Sequence, residues 1–196
     1  MKRVLLILAA VMFLLCVDNA LAVPVVDGIN SFGEWTSGLI LNGIDPDEGD
    51  IPNGYDIKHI AMIREFGGSA TDDGMYVLIE LHGAPTFTSL DPFPPIDPVF
   101  YATGLDINSD GDFSDAGDRV FDFRASGFTV YDGTGAIVAG TTSAVMGSVV
   151  EYYVSAGMFA GFPMSSFQSF TLLDNAGGPP DDRSPNEGFD TSIPEP

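Results

Sequence analysis

Glycine and proline punctuation limits this chain more than any other feature. Its 23 glycines and 14 prolines, spread over 196 residues, cut the apolar runs short. A stable helix needs a longer uninterrupted stretch, whereas a strand needs only a few residues. The runs between the breaks are rich in Val, Ile, Phe and Tyr, the types that suit a pleated surface. They predict strands over 23–27, 34–41, 55–66, 75–82, 100–107, 119–125, 128–131, 136–139, 149–155 and 170–174. The clearest is 75–82, where Met75, Val77, Ile79 and Leu81 share one face and Tyr76, Leu78, Glu80 and His82 the other. Run 55–66 alternates imperfectly, which implies a bulge or burial on both faces. Asp132-Gly133-Thr134-Gly135 carries strong hairpin-turn chemistry between 128–131 and 136–139. The proline-rich stretch 86–98 is expected to form an ordered loop over a sheet edge. Residues 155–167 are expected to be irregular with one short helical turn, and 177–196 to be loosely packed. About eight to ten short strands with regular turn signals and no long helix define an all-β chain, a sandwich or a barrel.

The first residues read as an address. Lys2 and Arg3 precede the apolar run 4–17, which is too short to span a membrane comfortably, and Ala20-Leu21-Ala22 is an A-x-A cleavage site. A secretory signal peptide over 1–22 is expected, followed by a β-sandwich domain over 23–188 and a disordered tail over 189–196. Cys16 is the only cysteine and would leave with the signal. The mature chain then has no thiol and no disulfide, so its stability must come from a core and a bound metal. No further apolar stretch is long enough to cross a membrane, and the expected location is the periplasm, the cell surface or the extracellular matrix. Charge excludes other classes. With 28 acidic residues against 7 basic ones, the formal net charge is −21. That field repels nucleic acid and anionic lipid and attracts divalent cations.

The segment that carries chemistry is Asp106 to Arg119, D-I-N-S-D-G-D-F-S-D-A-G-D-R. Side-chain oxygens recur at Asp106, Asn108, Asp110 and Asp112, and Gly111 stands where a sharp reversal is needed. This is the opening of an EF-hand-type calcium loop. Crowded carboxylates repel one another until a hard dication relieves the repulsion. The twelfth position is Gly117 instead of Glu, so Asp118 is expected to complete the ligand set, with Asp115 the weaker candidate. Strands flank the loop instead of helices, which points to a structural calcium ion that locks two strands. The acids at 45–50 and the pair Asp181-Asp182 read as solvated loop charge.

Three motifs in order extend this reading. Val26-Asp27-Gly28 is followed by Glu34-Trp35. Leu105 enters the Asp-rich loop, which leaves through Gly117-Asp118-Arg119. Asp181 to Gly188 reads D-D-R-S-P-N-E-G. This succession resembles the family 9-like carbohydrate-binding modules and their DOMON-like sandwich relatives. The resemblance implies a two-sheet antiparallel β-sandwich, jelly-roll or immunoglobulin-like, with an inserted calcium loop and polysaccharide as the default partner. One departure matters. The family's sugar sites use a clamp of aromatic rings, usually two tryptophans, whereas Trp35 is the single Trp here and its place suggests core packing. Tyr55, Tyr76, Tyr101, Tyr131, Tyr152 and Tyr153 are the remaining platforms, and a core role is expected for most. Ile193-Pro194-Glu195-Pro196 resembles the opening of a PEP-CTERM sorting signal, whose apolar span and basic tail are absent here, so the match is either a truncated signal or chance.

No enzyme is expected. His59 and His82 are the only histidines, both in expected strands. No nucleophile elbow, zinc-protease helix motif or phosphate-cradling loop occurs. The reading that follows is a secreted, calcium-stabilised, non-catalytic sandwich that binds glycan. The alternative is a surface structural or adhesion protein without a sugar site.

Overall fold

The computed structural model describes residues 24–31, 33–35, 39–44, 54–65, 73–88, 99–107, 110, 113–159, 168–175 and 182–184. Ten strands form: β1 (Leu39–Ile44), β2 (Ile57–Glu65), β3 (Gly74–Leu81), β4 (Val99–Asp106), β5 (Arg119–Arg124), β6 (Gly127–Asp132), β7 (Thr142–Met146), β8 (Val150–Ser155), β9 (Gln168–Asn175) and β10 (Asp182–Ser184). One sheet has the order β1-β2-β3-β8-β7 and the other β10-β9-β4-β5-β6. Every strand pairing is antiparallel. The expected two-sheet antiparallel sandwich is the fold.

Alternation decides what lies between the sheets. Met75, Val77, Ile79 and Leu81 of β3 join Val150, Tyr152 and Val154 of β8 on one side. Val99, Tyr101 and Leu105 of β4 and Phe121 and Phe123 of β5 meet them from the other. Aromatic rings lock this layer edge to face: Phe121 with Tyr152 at 5.8 Å between centroids, Phe87 with Phe123 at 5.1 Å. A hydrogen bond between Thr103 Oγ1 and the Tyr152 hydroxyl crosses from sheet to sheet. Beyond β3, Thr86 donates its N–H to the Tyr101 hydroxyl at 2.9 Å, and that hydroxyl donates back to the Thr86 carbonyl at 3.0 Å. The buried phenol thus ties the post-β3 segment to β4.

The first sheet is covered twice. β2 is buried on both faces at Ile60, Ala61, Met62 and Ile63, and its register shifts between Ile57 and His59, so both outcomes expected of the imperfect pattern occur. Its outer face, with Ala61, Ile63, Tyr76, Leu78, Val149 and Tyr153, packs against Trp35 and Val26. Residues 24–31 and 33–35 therefore form a strap across that face. This corrects two expected strands: 23–27 contains no strand among its described residues, and 34–41 is a turn at 33–35 with strand only from Leu39. Trp35 is buried and Val26 partly so, while Val25 stays exposed; a cover lying across a sheet buries an apolar side chain as a strand within it does.

Three more differences follow from tertiary pairing. Residues 136–139 return from the Asp132–Gly135 turn but touch β6 only through a bridge between Ile137 and Tyr131. β7 lies in a stretch where no strand is expected, because Thr-Ser-Ala-Val-Met alternates weakly. Asp182–Ser184, expected to be loosely packed, adds to β9. The expected helical turn is present as a single 3₁₀ turn, Ala156–Met158. The acids at 45, 47, 48 and 50 and the motif residues 185–188 lie outside the described residues.

Burial holds the Tyr101 phenol up to about 12, against an ordinary value of 10.0. An unfolded tyrosine ionises first, so the folded state binds the extra proton and stability falls as pH rises through that window. Tyr101→Phe is expected to cost about 1–3 kcal/mol at neutral pH by leaving Thr86 without its partner, and to flatten part of the alkaline loss. Urea unfolding of both proteins at neutral and alkaline pH measures this; identical midpoints at neutral pH would contradict it.

Candidate functional site: the loop between β4 and β5

β4 and β5 pair down to Leu105 opposite Arg119, and the Asp-rich loop bridges their ends. Strand pairing thereby brings Asp106 and Asp118 to the neck of the loop. Both are buried, at 0% and 1% exposure. The negative charge of Asp106 acts on Asp118 directly.

Asp118 fastens the loop. One carboxylate oxygen accepts the N–H of Ile107 at 3.0 Å and the other that of Asp115 at 2.9 Å. It thus grips the chain where it enters the loop and again just before it leaves. Burial pushes its carboxyl above the ordinary carboxylate value; the two N–H donors pull it back, and Asp106 and Asp115 push it further up. An acid in this position is costly unless a positive charge joins it.

Arg119 closes the same end of the sandwich. Its Nε donates to the Met158 carbonyl at 2.6 Å, and one terminal nitrogen donates to the carbonyls of Ala116, Gly117 and Asp118 at 2.9, 2.8 and 2.6 Å. The loop's exit thus wraps around a guanidinium. Burial lowers the proton affinity of Arg119, and Asp132 and Asp118 offset that effect. A second loop docks on the first: the Gly133 N–H reaches the Asp115 carbonyl at 3.1 Å. A Cβ at Gly133 would collide with main-chain atoms of Phe113 and Asp115, so only glycine fits there. The turn that carries Gly133 is set by Asp132, whose Oδ1 accepts from the Thr134 N–H and hydroxyl and the Ala136 N–H.

Of the expected calcium ligands, the fold places Asp106 and Asp118 together at the neck. Asp110 lies exposed on the loop, and Asn108 and Asp112 lie outside the described residues. Among the described residues no group of three or more His, Cys, Asp or Glu side chains is assembled for a metal. Asp118 fits a hard cation chemically. Each of its oxygens uses one acceptor site on an N–H and keeps another.

Sequence reasoning missed two charged residues with fixed roles. Arg119 entered only as the last letter of a motif. Glu151, alone inside the apolar run Val149–Val154, was a signal; it is buried against the strap. Nδ1 of His59 lies 3.7 Å from Glu80, and burial lowers its proton affinity.

Fold and site together describe an all-β, two-sheet sandwich with an acidic loop sewn to its end by Asp118 and Arg119. No family model, no curated protein and no solved structure matches this chain.

Asp118→Ala strips the acceptor from two main-chain N–H groups and is expected to cost about 2–4 kcal/mol. Gly133→Ala is expected to destabilise the same end through backbone collision. Chemical denaturation measures both; wild-type midpoints for both variants would show that the loop is not fastened as described.

Proposed function

We propose that the chain is an exported, non-catalytic β-sandwich that binds calcium as a structural ion in the Asp106–Asp118 loop and acts as a structural or adhesion module of the cell surface or matrix. The observation that carries the calcium reading is the pair of buried carboxylates, Asp106 and Asp118, at the loop's neck. Burial of both ions costs free energy that a dication recovers. In this reading the motif residues Asn108, Asp110 and Asp112 supply the further ligands. Such loops in extracellular modules bind weakly, with Kd of order 10⁻⁴–10⁻³ M.

The structural role is preferred over sugar binding because of where the rings lie. Trp35, Tyr55, Tyr76, Tyr101, Tyr152 and Tyr153 are buried, and Tyr131 alone of the six tyrosines is half-exposed. A stacking clamp needs open ring faces. Polysaccharide binding is retained as a second reading on one observation. On the outer face of the second sheet the Arg124 guanidinium lies 4.4 Å from the Phe100 ring centroid and pairs with Asp122 at 2.7 Å. Ring, fork and carboxylate are the groups a glycan contacts.

Calcium is expected to raise Tm, with the effect reversed by chelator and absent in Asp110→Ala. Asp110 is exposed, so that variant leaves the core intact and isolates the ion. An unchanged melting curve in excess calcium would end the calcium reading. A glycan array in calcium buffer separates the two roles: no ligand supports the structural module, and a ligand lost in Phe100→Ala supports the second reading.

A further inference from the structure

Glu151 is a buried acid to which nothing above gives a function. It sits in the middle of β8 at 0% exposure, facing the strap side of the sheet. Oε2 accepts the N–H groups of Asp27 at 3.0 Å and Gly28 at 2.7 Å. Oε1 is buried with no hydrogen-bond partner, and so is the indole Nε1 of Trp35 in the same layer. The strap's other attachment is the Gly28 carbonyl, which accepts from the Ser148 N–H at 2.8 Å and hydroxyl at 3.1 Å. Gly28 has φ 80, and a Cβ there would stand 2.7 Å from the Gly147 nitrogen, so the strap can lie this close only through glycine.

We propose that Glu151 is a proton-operated latch on the N-terminal strap: the protonated carboxyl holds residues 24–31 and 33–35 closed over the outer face of the first sheet, and loss of the proton loosens them. A neutral carboxyl can keep one oxygen as acceptor for both strap N–H groups, and burying it costs far less than burying a charge. Among the described residues, the charged groups acting on Glu151 are acids, Glu34 and Asp27. The strap brings the acids Asp27 and Glu34; β3 brings Tyr76 and Leu78; β8 brings Tyr153; β2 brings Ala61 and Ile63; β7 places Val145 opposite. Burial is the main cause holding the carboxyl above the ordinary value of 4.5; the two strap N–H groups oppose it, and Glu34 and Asp27 add to it. The folded strap therefore retains a proton that the open strap releases. Closure is firmest below 4.5 and weakens as pH rises through the window above it.

Trp35 is the chain's single tryptophan and is the ring by which the strap packs on the sheet, so its fluorescence reports the latch. In the full chain, Trp35 emission is expected to shift red and its acrylamide quenching to increase as pH rises through that window, with the far-UV circular dichroism unchanged. Glu151→Gln keeps the acceptor without a charge and is expected to abolish the transition. Asp27→Asn keeps its acceptor for the Ile29 N–H and is expected to move the midpoint to lower pH, since one repelling charge is gone. A flat wild-type profile, a transition that survives Glu151→Gln, or an unmoved midpoint in Asp27→Asn would overturn the proposal.

Discussion

The central strands of the first sheet are apolar on both faces, and the rest of the structure answers that constraint. β3 sends Met75, Val77, Ile79 and Leu81 into the layer between the sheets and Tyr76 and Leu78 the other way. The second sheet can cover only one of those faces. Left bare, the other would present an apolar patch to water. The strap supplies the missing cover, with Trp35 as its largest apolar contribution. A two-sheet sandwich thereby gains a third, irregular layer on one side. That layer has no strand ladder to hold it, so its main-chain groups need partners from side chains.

Those partners are carboxylates. Glu151 takes two N–H groups of the strap, Asp118 takes two of the β4–β5 loop, and Asp132 takes two of the turn that docks on that loop. The pattern suits a chain so rich in acids and poor in cations. A carboxylate offers about four acceptor sites and makes stronger bonds to N–H donors than a neutral oxygen. The cost appears where these groups are buried, because each charge removed from water raises the free energy of the fold. Asp132 lies at the surface and is held below the usual carboxylate range by its donors; Asp118 and Glu151 are buried and pushed above it. The difference marks where a cation or a proton has most to offer. Arg119 is the counterpart on the donor side, one guanidinium serving four carbonyls at the end of the sandwich.

The sequence by itself determined the all-β class, the split of residues 75–81 between two faces and the turn at Asp132–Gly135. Each rests on a local pattern: period-two alternation, or short polar side chains that bond their own backbone. It also put the Asp-rich loop between two strands, and pairing of β4 with β5 then brought Asp106 and Asp118 together. Only the tertiary structure decided that residues 24–31 and 33–35 form a cover instead of strands, that Thr142–Met146 completes a sheet edge, and that Asp182–Ser184 adds to β9. Composition shows that a residue seeks burial, but ladder and cover bury the same atoms, and a weakly alternating edge strand is chosen by its neighbour. The roles of Arg119 and Glu151 were hidden for the same reason: each reaches a main-chain group brought to it from far along the chain, Met158 for Arg119 and Asp27, 124 residues away, for Glu151.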